Sequence, residues 1–292
     1  MPCRRVLARS LPAFAVFCFY YFIAIPAALG QVLENAKPQQ PEQQHQHSGH
    51  DHAMPMDMNL PSGVTDKCEP KFTYDNGPLG PSHWPNVCTT GQMQSPIDIT
   101  STEKMAIPPM APLLFSYQPA DLDVVNACNN YMIKVRFPKN RWFKVARKPY
   151  RLSEIRFREP GETAVNGKRP AMSLEFVHLS PEATLLIIEV PVAVGKENPV
   201  IKTLWQNIPE KGKESKPEGI KFNPMDLLPS DHGYYSFRGS LTDPFCNEGV
   251  IWLRMKSPIE MSQAQIEEYK KYYHDTARPL QAAHDRPVLE SK

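Results

Sequence analysis

The stretch EIRFREPGE, residues 154–162, alternates three charged side chains with two large apolar ones. Side chains alternate across a β-strand, so Glu154, Arg156 and Arg158 share one face while Ile155 and Phe157 share the other. The apolar face reads as core. A charged face of this kind is ordinarily solvated, and what flanks it decides whether that holds here.

The flanks are strand-rich. YMIKVRF (131–137), SLEFVHL (173–179), TLLIIEVPVAV (184–194) and GVIWLRM (249–255) carry alternating or β-branched runs between turns containing Pro and Gly. Helical signal is confined to SQAQIEEYKKYYHD (262–275), with Ser262 placed as an N-cap, and to the shorter NPVIKTLWQNI (198–208). The fold class is therefore mainly β.

Upstream, residues 1–30 hold Arg4, Arg5 and Arg9, no acid, and an apolar run ending in AALGQ. This predicts a signal peptide cut before Gln31, an exported chain that is periplasmic or secreted, and no transmembrane segment after cleavage. An uncleaved anchor helix is the alternative that the length of the run permits. Residues 31–62, rich in Gln, Pro and His and poor in large apolar residues, read as a disordered tether. In it His45, His47, His50 and His52 precede Met54, Met56 and Met58, a nitrogen and thioether set suited to copper or zinc; a spacer with incidental histidines is the alternative. Residues 63–292 form the folded domain. The formal charge of +2 on 292 residues, near zero once the leader is removed, excludes nucleic acid as an expected partner. Four cysteines, Cys68, Cys88, Cys128 and Cys246, survive maturation, an even number that favours disulfides in an exported chain and allows three connectivities.

Several segments resemble the α-class carbonic anhydrases. They are, in order, YDNGPLGPSHWPN (74–86), QSPIDI (94–99), YRLSEIRF (150–157), SLEFVHL, FNPMDLLP (222–229), YYSFRGSLTDPFCNEGVIWLRMKSPI (234–259) and ARPLQ (277–281). The resemblance implies a single domain built on a twisted, mostly antiparallel sheet of about ten strands with a few short peripheral helices. It also implies a cavity whose floor holds zinc on three histidines, two of them at i and i+2 on one strand. In this sequence those positions are Arg156 and Arg158, and the third is Glu175. Glu154 and Ser173 stand where the residues supporting two of those histidines would be. Thr242 and Glu162 match the pair that orients the metal-bound hydroxide, and Tyr131 stands at the proton-shuttle position. Asp243 follows Thr242 where a Thr or His is usual. Tyr74 and Phe237 match cavity aromatics, and Cys88 with Cys246 match the family's secreted disulfide, leaving Cys68 and Cys128 as a possible second pair.

Guanidinium has five donors and no lone pair to offer a cation. The expectations are therefore no catalytic zinc and no core cofactor, with Arg156 and Arg158 forking onto Glu175, Glu162 or Glu154 in a structural filling; a small-anion site at Arg156, Arg158, Glu175 and Glu154 is the alternative. Two arginines and one glutamate also carry the +1 of zinc with hydroxide. The positive role reads as binding, to a partner protein, a glycan or a small anion. The rivals are a carbonic anhydrase or esterase with a non-standard metal site, and metal uptake by the tether.

Overall fold

The structure is a computed structural model that describes residues 69–291, apart from residues 86, 101–102, 105–110, 129–130, 139–141 and 146. The leader and the tether, with His45 to Met58, and Cys68 lie outside the described residues.

A thirteen-stranded sheet organises the chain. Its central strands are β1 (Val124–Ala127), β2 (Met132–Arg136), β3 (Lys148–Arg158), β4 (Met172–Leu179), β5 (Leu185–Val194), β6 (Tyr234–Ser240) and β7 (Glu248–Met255). The spatial order is β1, β2, β3, β4, β5, β7, β6, with Glu214–Ser215 outside β1 and Leu289–Glu290 then Glu103–Lys104 outside β6. Neighbours are antiparallel except for β5 with β7, β5 with Ile259–Met261, and the outermost pair at the β6 edge. The four runs singled out in the sequence each coincide with one of these strands to within a residue at either end. The sheet is larger than expected because two- and three-residue edge strands, too short to show periodicity, extend it.

The two expected helices form where their caps lie. Asn198 accepts from the Val200 and Ile201 amides to open α1 (Pro199–Trp205). Ser262 and Gln265 cap each other's backbone to open α2 (Gln263–Lys270), a reciprocal capping box. Both helices cover one face of the sheet. Phe157 meets Trp205 with ring centroids 4.9 Å apart and Tyr269 at 6.4 Å, inside the main core with Ile155, Leu174, Ile188 and Leu253. Full burial of each such side chain is worth about 1.5–3 kcal/mol.

Register puts Lys134, Arg156, Glu175, Glu189 and Arg254 side by side across five strands on the opposite face. Two residues further along the strands the same face becomes apolar, with Val177, Ile187 and Trp252 under Ile97 and Ile99 of QSPIDI. That segment docks against the edge of β6. Ser95 and Ser240 exchange hydroxyl and amide hydrogen bonds, and a Cβ on Gly239 would lie 2.1 Å from the Ser95 hydroxyl. Only glycine allows this approach.

Arg278 of ARPLQ fastens the arrangement. Fully enclosed, it donates to Gln94 Oε1 (2.8 Å), the Ser95 carbonyl (2.8 Å) and the Cys88 carbonyl (2.6 Å), with its guanidinium 5.6 Å from the Trp84 ring. The Cys88–Cys246 disulfide holds the same region across a separation of 158 residues, worth about 5 kcal/mol in the chain-entropy account. Cys128 is also disulfide-bonded.

Arg278→Met would leave three buried acceptors without a donor. Its expected cost is about 3 kcal/mol or more, read from the urea midpoint of the full chain, and a cost below about 1 kcal/mol would mean that water replaces the guanidinium.

Candidate functional site

The charged face of β3 is enclosed. Arg158 has no exposed side-chain surface, and Glu154, Glu162 and Glu175 are buried around it. What encloses it is the amino-terminal segment, where Phe72, Tyr74 and Trp84 pack edge to face about the Cys88–Cys246 bond, together with the loop that follows β6.

Asp243, on that loop, is the centre of the site. Its Oδ1 accepts from Arg158 Nη2 (2.5 Å) and from the Tyr74 hydroxyl (2.5 Å), while Oδ2 accepts from Arg156 Nη1 (3.1 Å). Arg158 Nη1 in turn donates to the Tyr74 hydroxyl (2.7 Å). Arg156 Nε reaches Glu154 Oε1 at 2.6 Å, and Lys134 Nζ reaches Glu154 Oε2 at 3.0 Å. Glu175 contributes only a loose ion pair, 3.5 Å from Arg158 Nε. Glu162 accepts from the Thr242 hydroxyl at 2.8 Å and makes no ion pair with either arginine.

The expected pairing is therefore corrected in part. Arg156 does bind Glu154, but the carboxylate joining both arginines is Asp243, and Glu175 and Glu162 leave it that role. Glu175 cannot take it because it stands directly opposite Arg156 in register, and its side chain extends toward the Arg158 Nε edge. The count of +1 held for Arg156, Arg158 and Glu175 alone, and the structure adds Lys134, Glu154 and Asp243 to it. Lys134, Arg156 and Arg158 face Glu154, Asp243 and Glu175, so the floor balances near neutrality.

These residues do not fit a zinc ion. Two of the three side chains at the ligand positions are permanently protonated donors, and two nitrogens of each already donate to carboxylates or a phenol. The third is a single carboxylate beside a fixed positive charge. Among the described residues no cluster of three or more His, Cys, Asp or Glu side chains converges in a ligating arrangement.

Burial raises the free energy of every charge here, and the neighbours decide the outcome. For Glu154, burial is outweighed by Arg156 and Lys134, which hold its carboxyl down to about 2. For Asp243, burial is outweighed by Arg158 and Arg156, and the carboxyl again falls below its ordinary range. Glu162 moves the other way: burial first, then the charge of Glu175, push it well above the ordinary range. No amide or hydroxyl among the described residues donates to either Glu175 oxygen. Burial and the charge of Glu175 favour the protonated form of the neighbouring Glu162 carboxyl, the form that can supply a hydrogen to it.

Tyr131, at the shuttle position, sits with positive φ, and its ring is 5.5 Å from that of Tyr273. Phe237 stacks on Trp252 in the apolar cluster beyond the charged row. His178 is buried against the Tyr117 hydroxyl (2.5 Å), and burial lowers its pKa to about 3. Sequence reading marked Asp243 only as a departure from the family pattern and missed Lys134 and the Glu189–Arg254 end of the row. The sequence signal was partial: two new buried cations require an anion, and Asp243, next to Thr242, is one of several acids that could supply it.

The fold and its charged floor define a twisted-sheet protein of the carbonic anhydrase type, and the comparisons agree. The family model of the eukaryotic-type carbonic anhydrases matches residues 79–292. A carbonic anhydrase of Nostoc sp. is 31% identical over 224 residues, covering 74% of this chain and 84% of its own. Among solved structures, the Photobacterium profundum alpha-carbonic anhydrase superposes with a TM-score of 0.70 at 34% identity, over 75% of this chain and 100% of that one. A dioscorin complexed with ascorbate gives 0.69 at 26% identity, over 76% and 98%. The chain belongs to the eukaryotic-type, or alpha, carbonic anhydrase family.

Two pH effects follow from the carboxyls. Glu154 and Asp243 contribute stability that is complete above an ordinary carboxyl value of roughly 4 and is lost as pH falls through their depressed folded values. Glu162 has the opposite sign, with stability complete below roughly 4 and lost as pH rises toward its raised folded value. Glu162→Gln, neutral throughout and still able to accept from Thr242, should therefore gain stability relative to wild type as pH rises. The difference should grow by up to about 1.4 kcal/mol per pH unit in urea titrations from mildly acid to mildly alkaline pH, and a flat difference would show that Glu162 is ionised in the fold.

Proposed function

We propose that this chain is an exported member of its family that has given up zinc-hydroxide chemistry, does not hydrate CO2, and acts as a binding or structural protein. The observation that carries the reading is Arg158, a guanidinium without exposed surface at a position where the family resemblance expects a metal ligand, hydrogen-bonded to Asp243 and Tyr74. Nothing in that set can deliver a lone pair to a cation from the arginine positions, so Thr242 and Glu162 have no metal hydroxide to orient.

Export is supported by the basic and apolar leader and by the Cys88–Cys246 bond, since disulfides persist in oxidising compartments. The ligand classes are a partner protein, a surface glycan or a small anion. Because the floor cations are already answered by protein carboxylates, the first two fit the outer surface better than an anion fits the floor. The anion reading draws support from the dioscorin relative, whose structure is described as a complex with ascorbate. Copper or zinc uptake by His45, His47, His50, His52, Met54, Met56 and Met58 is a separate activity of the tether, resting on its ligand chemistry alone.

Elemental analysis of the mature chain and of a version beginning at residue 63, each after exposure to zinc and copper, tests the proposal together with a CO2 hydration assay. The expected outcome is a metal-free body, metal only on the tethered form, and hydration at the buffer rate. One zinc per chain on the truncated body, with hydration above that rate, would return the protein to the enzymes.

A further inference from the structure

We infer that the enclosed charged face of β3 contains a built binding site for a small monocarboxylate, which the protein fills with its own Asp243. The inference deepens the reading that the arginines have replaced a metal, and it rests on that reading.

Three donors converge on this carboxylate: Arg158 Nη2 and the Tyr74 hydroxyl on Oδ1, and Arg156 Nη1 on Oδ2. Planar forks of this kind match the two oxygens of a carboxylate, and charge-assisted bonds are the stronger class. Each donor has a contact other than Asp243. Arg156 is fixed through Nε by Glu154, Arg158 through Nη1 by Tyr74, and Tyr74 by ring contacts with Phe72 and Trp84. The two arginines stand on β3, whereas the acceptor arrives from a loop. Asp243 lies between β6 and β7 in a turn closed by Cys246 N on the Asp243 carbonyl (2.8 Å) and Leu241 N on the Asn247 carbonyl (3.0 Å). Its side chain keeps 12% of its surface exposed and that of Arg156 13%, whereas Arg158 beneath them has none, so the carboxylate lies on the solvent side of Arg158.

An aspartate side chain ends in the same group as acetate or formate. Tethered by one loop, it competes at an effective concentration that a free ligand at ordinary concentration does not match, so wild-type protein should ignore small carboxylates. Removing the tethered carboxylate leaves three aimed donors and one unbalanced positive charge, which a free planar anion of one or two carbons can satisfy.

The test is a thermal melt of full-length wild type and Asp243→Ala in rising sodium formate or sodium acetate, with sodium chloride and sodium sulfate at equal ionic strength as controls. In chloride the variant should melt below wild type. Formate should restore at least half of that loss saturably, as mass action on the folded state requires, while wild type stays unchanged. Adding Tyr74→Phe to Asp243→Ala should weaken the formate response several-fold. Equal responses to formate and chloride, or a response of wild type as large as the variant's, would overturn the inference. If Asp243→Ala is recovered only as aggregate, it is refolded from denaturant in formate and in chloride: formate-dependent recovery supports the site, and equal yields sink it. Zinc bound to the body in the metal analysis would instead remove the underlying reading, whatever formate does.

Discussion

Arg158 is a permanent positive charge with no route to water, and much of the site follows from answering it. Transferring an unpaired guanidinium into a protein interior costs several kcal/mol even after relaxation, more than a large fraction of a domain's net stability. The charge must therefore be met by an anion in contact, and that anion must be held in place by the fold. Asp243 meets it, Tyr74 shares it, and the Cys88–Cys246 bond, three residues along from Asp243, keeps the loop and the amino-terminal segment together over the site. A buried pair of this kind contributes little net stability compared with an apolar filling, yet it penalises any arrangement that separates the partners. It works as a constraint on geometry more than as a source of cohesion.

Cohesion comes from the other face. Ile155 and Phe157 alternate with the charges on β3 and pack into the main core against Trp205 and Tyr269. This is why one strand can carry two arginines into the interior: the apolar half of its residues fixes the strand independently of what the polar half does. The same division applies across the sheet, where β4, β5 and β7 carry the charged row on one face and Phe176, Ile188 and Leu253 on the other.

The fold was legible because its determinants are local or periodic. Alternation located the strands, Asn198 and Ser262 located the helix starts, and the collinear motifs fixed their order. The site was legible only in part, for a physical reason. Sequence shows that Arg156 and Arg158 share a face, since i and i+2 spacing is sufficient for that, but the partner that answers them comes from a loop more than eighty residues away. Charge balance could say that an acid was needed. It could not choose among Glu154, Glu162, Glu175 and Asp243, because that choice depends on side-chain reach across a register that only the assembled sheet defines.

Glu162 completes the charged floor. With Thr242 donating to one of its oxygens and Glu175 as its carboxylate neighbour, it is the acid that the floor leaves without a cation. Three cations and three carboxylates already pair off, and although the Arg158 charge favours ionisation of Glu162, burial and the adjacent Glu175 carboxylate outweigh it. The less costly solution is for Glu162 to keep its proton and give a hydrogen bond to Glu175, whose oxygens receive no other among the described residues. The arginines, the acids and the retained proton thus form one electrostatic unit, in which removing any charged member shifts the proton affinity of the rest.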